Sequence, residues 1–134
     1  MTRRGGGGVG PASAGRTSGP MPVTRGEIDR ICAALPGAEE AHPPELVSWK
    51  VGGRMFACFG GDGDMESVSV KCADVETASM LIEAGAAVRA PYFHRSWVRL
   101  PFAATAPEDA RHRIEASYEA IRSKLPRAAR EALS

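Results

Sequence analysis

Few residue types in this chain could carry covalent chemistry, and their spacing does not support it. The sequence has three cysteines (Cys32, Cys58, Cys72) and three histidines (His42, His94, His112). The cysteines form no C-x-x-C pair and have no histidine at metal-ligand spacing, so they read as reduced, buried thiols rather than a zinc site. Asp62-Gly63-Asp64-Met65-Glu66 begins like a calcium loop, but Ser67 stands where the loop glycine belongs and Ala73 where the bidentate glutamate belongs. It reads as a solvated hairpin turn. Glu39 and Glu40 are adjacent in a loop, which suits solvation better than acid/base catalysis. His112 lies between Arg111 and Arg113 on a predicted helix surface and His42 in a proline loop, leaving His94 as the one histidine among residues that could build a site. No nucleophile elbow, H-E-x-x-H or phosphate loop occurs, and Gly5 to Gly8 lack the Gly-Lys-Ser/Thr that a phosphate loop needs. The sequence predicts no enzyme, no metal site and no cofactor.

Binding chemistry is better represented, and the predicted elements explain where. Thr24-Arg25-Gly26-Glu27 has the form of a capping box, and Ile28, Ile31, Cys32 and Leu35 recur at i, i+3, i+4 and i+7 before Pro36-Gly37. Residues 38–45 read as an acidic, proline-broken loop. Val47, Trp49 and Val51 then alternate with Ser48 and Lys50, Gly52-Gly53 supplies a tight turn, and Met55 to Phe59 return as the second strand of a hairpin over 46–59. A third strand spans 66–72, with Val68, Val70 and Cys72 inward. Asp74 caps a second helix over 75–83 that is predicted to bury Val75, Ala78, Ser79 and Ile82. Ser96 to Phe102 form a fourth strand, and a last helix opens at Pro107 with Ile114, Tyr118, Ile121 and Leu125 as its core stripe. The order α-β-β-β-α-β-α predicts an α+β fold, an antiparallel sheet of about four strands with helices packed on one face.

If the apolar strand positions face those helices, the other sheet face collects Ser48, Lys50, Ser69, Lys71, Trp97 and Arg99, with Arg54 and Arg95 at its rim. No acid is in that set. Cations neutralise phosphates and an exposed aromatic stacks on a base, so a basic face carrying Trp97 suits a nucleic-acid strand. The alternative is that these cations only solubilise an open sheet face, with Trp97 covered by the 85–95 connection.

The whole-chain charge of +1 conceals this segregation. Residues 1–22 hold seven of the fifteen glycines and three arginines with no acid, which leaves 14 Lys+Arg and 16 Asp+Glu in residues 23–134. The first stretch cannot bury enough apolar surface to order itself. It reads as a disordered tail, or as the product of an early start codon with Met21 the true initiator. Residues 23–134 read as one domain, slightly acidic overall, which argues against a generally basic nucleic-acid binder. No secretory signal or membrane-length apolar run is present, so the expectation is a cytoplasmic protein without membrane contact.

Five motifs in order carry a family resemblance. They are Leu35-Pro36-Gly37 with Glu39-Glu40, Trp49 to Ala57, Val68 to Cys72, Pro91-Tyr92 with Ser96-Trp97-Val98, and Ser117-Tyr118 ahead of Lys124-Leu125-Pro126. Over about residues 24–126 the chain resembles the MmcQ/YjbR family, small bacterial cytoplasmic proteins with a frataxin-like (CyaY-like) α+β arrangement. The resemblance implies a DNA-binding label and no enzyme activity, with Lys50, Arg54 and Lys71 as motif cations and Trp97 as motif aromatic. The sequence departs from the commoner Asn-Lys-x-His pattern with Phe93-His94-Arg95-Ser96. The combined expectation is a non-enzymatic DNA-binding domain using Lys50, Arg54, Lys71, Arg95, Trp97 and Arg99, as a monomer or weak dimer. The alternative is an interaction module for an acidic protein or a small ligand, without nucleic-acid binding. Iron handling, suggested by the fold alone, would need a dense acidic ridge, and Glu27 and Asp29 are interspersed with Arg25 and Arg30.

Overall fold

The computed structural model describes residues 21–60, 64–91 and 93–133. The predicted tail over 1–20 and most of the 60–64 turn lie outside the described residues. Helix α1 spans Arg25–Ala33, and its capping box is present in full. The Thr24 hydroxyl accepts the Glu27 N–H at 3.1 Å while the Glu27 carboxylate accepts the Thr24 N–H at 2.9 Å. Ile28, Ile31 and Cys32 are its buried stripe.

Among the described residues six strands follow where about four were expected: β1 (Glu39–Ala41), β2 (Ser48–Val51), β3 (Arg54–Cys58), β4 (Ser67–Lys71), β5 (Val88–Arg89) and β6 (Trp97–Pro101). They form one antiparallel sheet in the order β1-β2-β3-β4-β6-β5. The two additional strands are the edges, only three and two residues long. Each forms because a chain leaving a helix runs beside an already formed strand and borrows its free backbone groups, a source of order that side-chain alternation does not register. Helix α2 (Val75–Glu83) is capped by Asp74, whose carboxylate accepts the Thr77 N–H at 2.7 Å. It buries Ala78 fully, with Leu81 and Ile82 half-buried, whereas the predicted inward Ser79 is exposed. Helix α3 (Pro107–Arg122) starts at its proline and buries Ala110, Ile114, Ser117, Tyr118 and Ile121. A short α4 (Arg127–Glu131) closes the described chain.

The core lies between the sheet and α1 and α3. Val51, Ala57, Val70, Val98 and Leu100 join Ile28, Ile114 and Ile121 in one buried cluster, with α3 against β2, β3 and β4 and α2 against β5 and β6. Trp49 joins this layer and donates its indole N–H to Asp29 of α1 at 3.0 Å.

The sheet is not regular throughout. Pairing of β2 with β3 jumps from Trp49↔Ala57 to Lys50↔Met55, so Phe56 is an extra residue without a cross-strand partner, as in a β-bulge. The β3–β4 ladder correspondingly stops at Ala57↔Val70. Backbone groups of Phe56 and Lys71 are thereby left without strand partners in the interior, where an unpaired group is costly. Ser117 fills the gap from α3: its hydroxyl accepts the Lys71 N–H at 2.9 Å and donates to the Phe56 carbonyl at 2.6 Å. Ser117 is fully buried, so water cannot substitute for it. Replacing Ser117 with alanine strands both backbone groups, at about 1–3 kcal/mol each. Ser117→Ala should therefore lower the melting temperature in a calorimetric scan by about 10 °C or more.

Candidate nucleic-acid interface

Cross-strand register places Ala41, Ser48, Cys58, Ser69, Arg99 and Val88 in one row over the face opposite the helices. This face was expected to be open, but its centre is closed. Ser48, Cys58 and Ser69 are each no more than 3% exposed, and burial pushes the Cys58 thiol up from its ordinary value. The loops flanking the strands fold onto the face. Ser48 donates to the Leu46 carbonyl at 3.0 Å, and Ser67 donates to Asp64 at 2.8 Å. Asp64 also accepts the Glu66 N–H at 2.9 Å and receives the Arg99 guanidinium at 3.4 Å. Arg99 is thus a nearly buried cation facing a carboxylate, and its expected role as an exposed phosphate contact is corrected. Asp64, expected only as part of a solvated turn, makes this closure.

Trp97 requires a second correction. Expected as an exposed stacking platform, it is 9% exposed and lies beneath Phe93, ring centroids 4.7 Å apart and planes 26° from parallel. Alternation assigned the correct face, and the chain before β6 turns back over it, as the alternative reading had it. Phe93 is the half-buried outer member of this stack.

The same turn organises Lys71. Its ammonium donates to the Ser96 hydroxyl at 2.8 Å and reaches the Cys72 carbonyl at 3.5 Å. Ser96, only 2% exposed, also meets His94 Nδ1, at 2.9 Å from its hydroxyl and 3.1 Å from its backbone N–H. Because a backbone N–H can only donate, Nδ1 is the acceptor in that contact. The Ser96 hydroxyl oxygen accepts from Lys71, since an ammonium can only donate. Burial lowers the Lys71 pKa below its ordinary value, the neighbouring Lys124 ammonium lowers it further, and Cys72 acts in the opposite direction.

Lys50, Arg54 and Arg95 share this end of the sheet. Lys50 pairs across the strand with Met55, next to Arg54, and its ammonium has an exposed partner in Glu45 at 3.4 Å. Arg54 and Arg95 are exposed. The Gly52-Gly53 turn that brings the strands together has both residues at positive φ, and a Cβ at Gly52 would come within 2.7 Å of Leu125. That close approach brings Lys124 to the hairpin tip. Lys124, Ser96 and Ser117 are members of this region that the sequence reading did not assign, although all three stand in the family-like motifs. Of the six predicted residues, Lys50, Arg54, Lys71 and Arg95 gather at one end of the sheet, Trp97 lies under Phe93, and Arg99 is drawn to Asp64 at the other.

The YjbR family model matches residues 33–120. The chain belongs to the YjbR family. Its fold is similar to the crystal structure of Deinococcus radiodurans protein DR2400, a DUF419 domain, with a TM-score of 0.71 and 25% identity over 86% of this chain and 90% of that one. No curated protein matches the sequence. Among the described residues no helix is long and apolar enough to cross a membrane, and no group of three or more His, Cys, Asp or Glu side chains could hold a metal ion.

Two stability predictions follow from opposite ends of this face. Arg99→Ala removes the partner of a closure carboxylate and should cost about 1–3 kcal/mol in urea unfolding. Lys71 behaves in the opposite sense. Its folded pKa lies below the ordinary 10.5, so the penalty for holding it charged is complete at neutral pH and is relieved as pH rises through the lowered value. Lys71→Met should therefore leave the neutral-pH melting temperature unchanged or higher, as read by thermal denaturation.

Proposed function

We propose that this domain binds nucleic acid without catalysis, through phosphate contacts from Lys50, Arg54, Lys71, Arg95 and Lys124. The observation that carries the reading is the setting of Lys71. A partly desolvated ammonium is held by a hydroxyl and a carbonyl, both neutral, with a second ammonium adding repulsion. An incoming phosphate relieves that arrangement, because it supplies the negative charge that neither acceptor has. Arg54 and Arg95 extend the cationic surface to either side. Half-buried Phe93 rather than Trp97 is the aromatic available to an unpaired base.

Binding of this kind is salt-dependent and sequence-tolerant, because phosphates carry no base information. With about five phosphate contacts, affinity should fall on the order of 500-fold between about 50 and 200 mM salt. Fluorescence anisotropy with single- and double-stranded oligonucleotides checks this. Lys71→Glu should weaken binding more than about tenfold and flatten the salt slope, while Arg99→Ala, compared under conditions where it is folded, should leave the slope unchanged. Affinity insensitive to both salt and Lys71→Glu would overturn the reading.

A further inference from the structure

The helix side of the sheet carries a cleft that the proposed nucleic-acid contact does not use. Helix α2 lies over β5 and β6 while α3 lies over β3 and β4. Between the two helices is a cavity of about 280 Å³ with Leu100 as its floor. Leu81 of α2 forms one wall, and Thr105, Asp109, His112 and Arg113 form the other. Thr105 is already committed, donating to the Pro101 carbonyl at 2.6 Å. Leu81 remains half-buried although it faces an apolar floor, because α2 seats fully only through Ala78.

The charges on the α3 wall are unusual for a helix surface. Asp109 and Arg113 are four residues apart, a spacing at which acid and base ordinarily pair. The next such pair on α3, Arg111 and Glu115, does so at 3.9 Å. Arg113 instead lies near the buried Cys72 thiol: burial pushes that thiol up, and the neighbouring guanidinium opposes the shift. Among the described residues, nothing pairs with Asp109 or with His112. The cleft thus presents an anion and two basic groups along one wall, with apolar surface opposite.

We propose that this cleft binds a free apolar α-amino acid, its ammonium on Asp109, its carboxylate on Arg113 and His112, and its side chain against Leu81 and Leu100. A ligand with one charge would leave one side of the wall uncompensated. Side chains four apart on a helix have Cβ atoms about 5–6 Å apart, room for the two charged groups of one zwitterionic head. The volume lies just below the usual range of small-molecule pockets and limits the guest to a molecule of that size. The site is separate from the cationic end of the sheet, so it stands or falls independently of nucleic-acid binding.

Amide chemical-shift titration of the full chain with L-leucine, L-leucinamide and N-acetyl-L-leucine, each to about 10 mM, tests this. L-Leucine should move the resonances of Leu81, Leu100 and Thr105 saturably, and each blocked derivative should bind about tenfold more weakly or worse. Asp109→Asn, a surface change, should reduce L-leucine affinity about tenfold with the melting temperature preserved, and Arg113→Met should do the same to affinity. Absence of shifts at these residues, equal binding of all three compounds, or an unaltered affinity in Asp109→Asn would overturn it.

Discussion

The sheet depends on one hydroxyl. A bulge in β3 gives the hairpin its shape, yet it also interrupts the ladder to β4 at the position where the chain must hold Lys71. Ser117 spans that interruption from α3, so one side chain joins two strands and a helix through two short hydrogen bonds. Hydrophobic burial alone would tolerate several rotations of α3 on the sheet. The directional demand of two stranded backbone groups selects one. The same contact fixes the main chain from which the Lys71 side chain extends, so the fold and the proposed binding end share a restraint.

The face opposite the helices is asymmetric for electrostatic reasons. At one end a carboxylate, Asp64, draws in Arg99 and closes that end of the face, because a nearly buried guanidinium needs a compensating charge. At the other end the acceptors for Lys71 are neutral, and the cations nearby include Lys124. A single composition, serines and cations, therefore yields a structural closure at one end and a cationic surface at the other. What separates them is the placement of one aspartate relative to one turn.

Much of this was legible before any coordinates. Thr24 and Glu27 announced α1, Pro107 announced α3, and the alternation of Val68 with Ser69 assigned both faces of β4, because each signal is local and set by backbone geometry. The edge strands were not legible, since Glu39–Ala41 and Val88–Arg89 gain order from neighbours rather than from their own pattern. Nor was the burial of Trp97 decided by alternation, since it depends on the path of residues 93–96 in space. Alternation reports which side of a sheet a residue occupies and is silent on what lies above it. For the same reason Arg99 read as a free cation until Asp64, 35 residues earlier, folded over the same face.

The two tryptophans provide a last consequence. Trp49 lies on the helix side of the sheet, its indole tethered to a carboxylate of α1, while Trp97 lies on the opposite side under Phe93. Their cross-strand partners, Ala57 and Lys71, belong to opposite faces. The domain thus contains one emitter in each of its two layers, in different polar surroundings and each replaceable by phenylalanine. Single-tryptophan versions would let the loosening of the helical layer be timed separately from the loosening of the cationic layer.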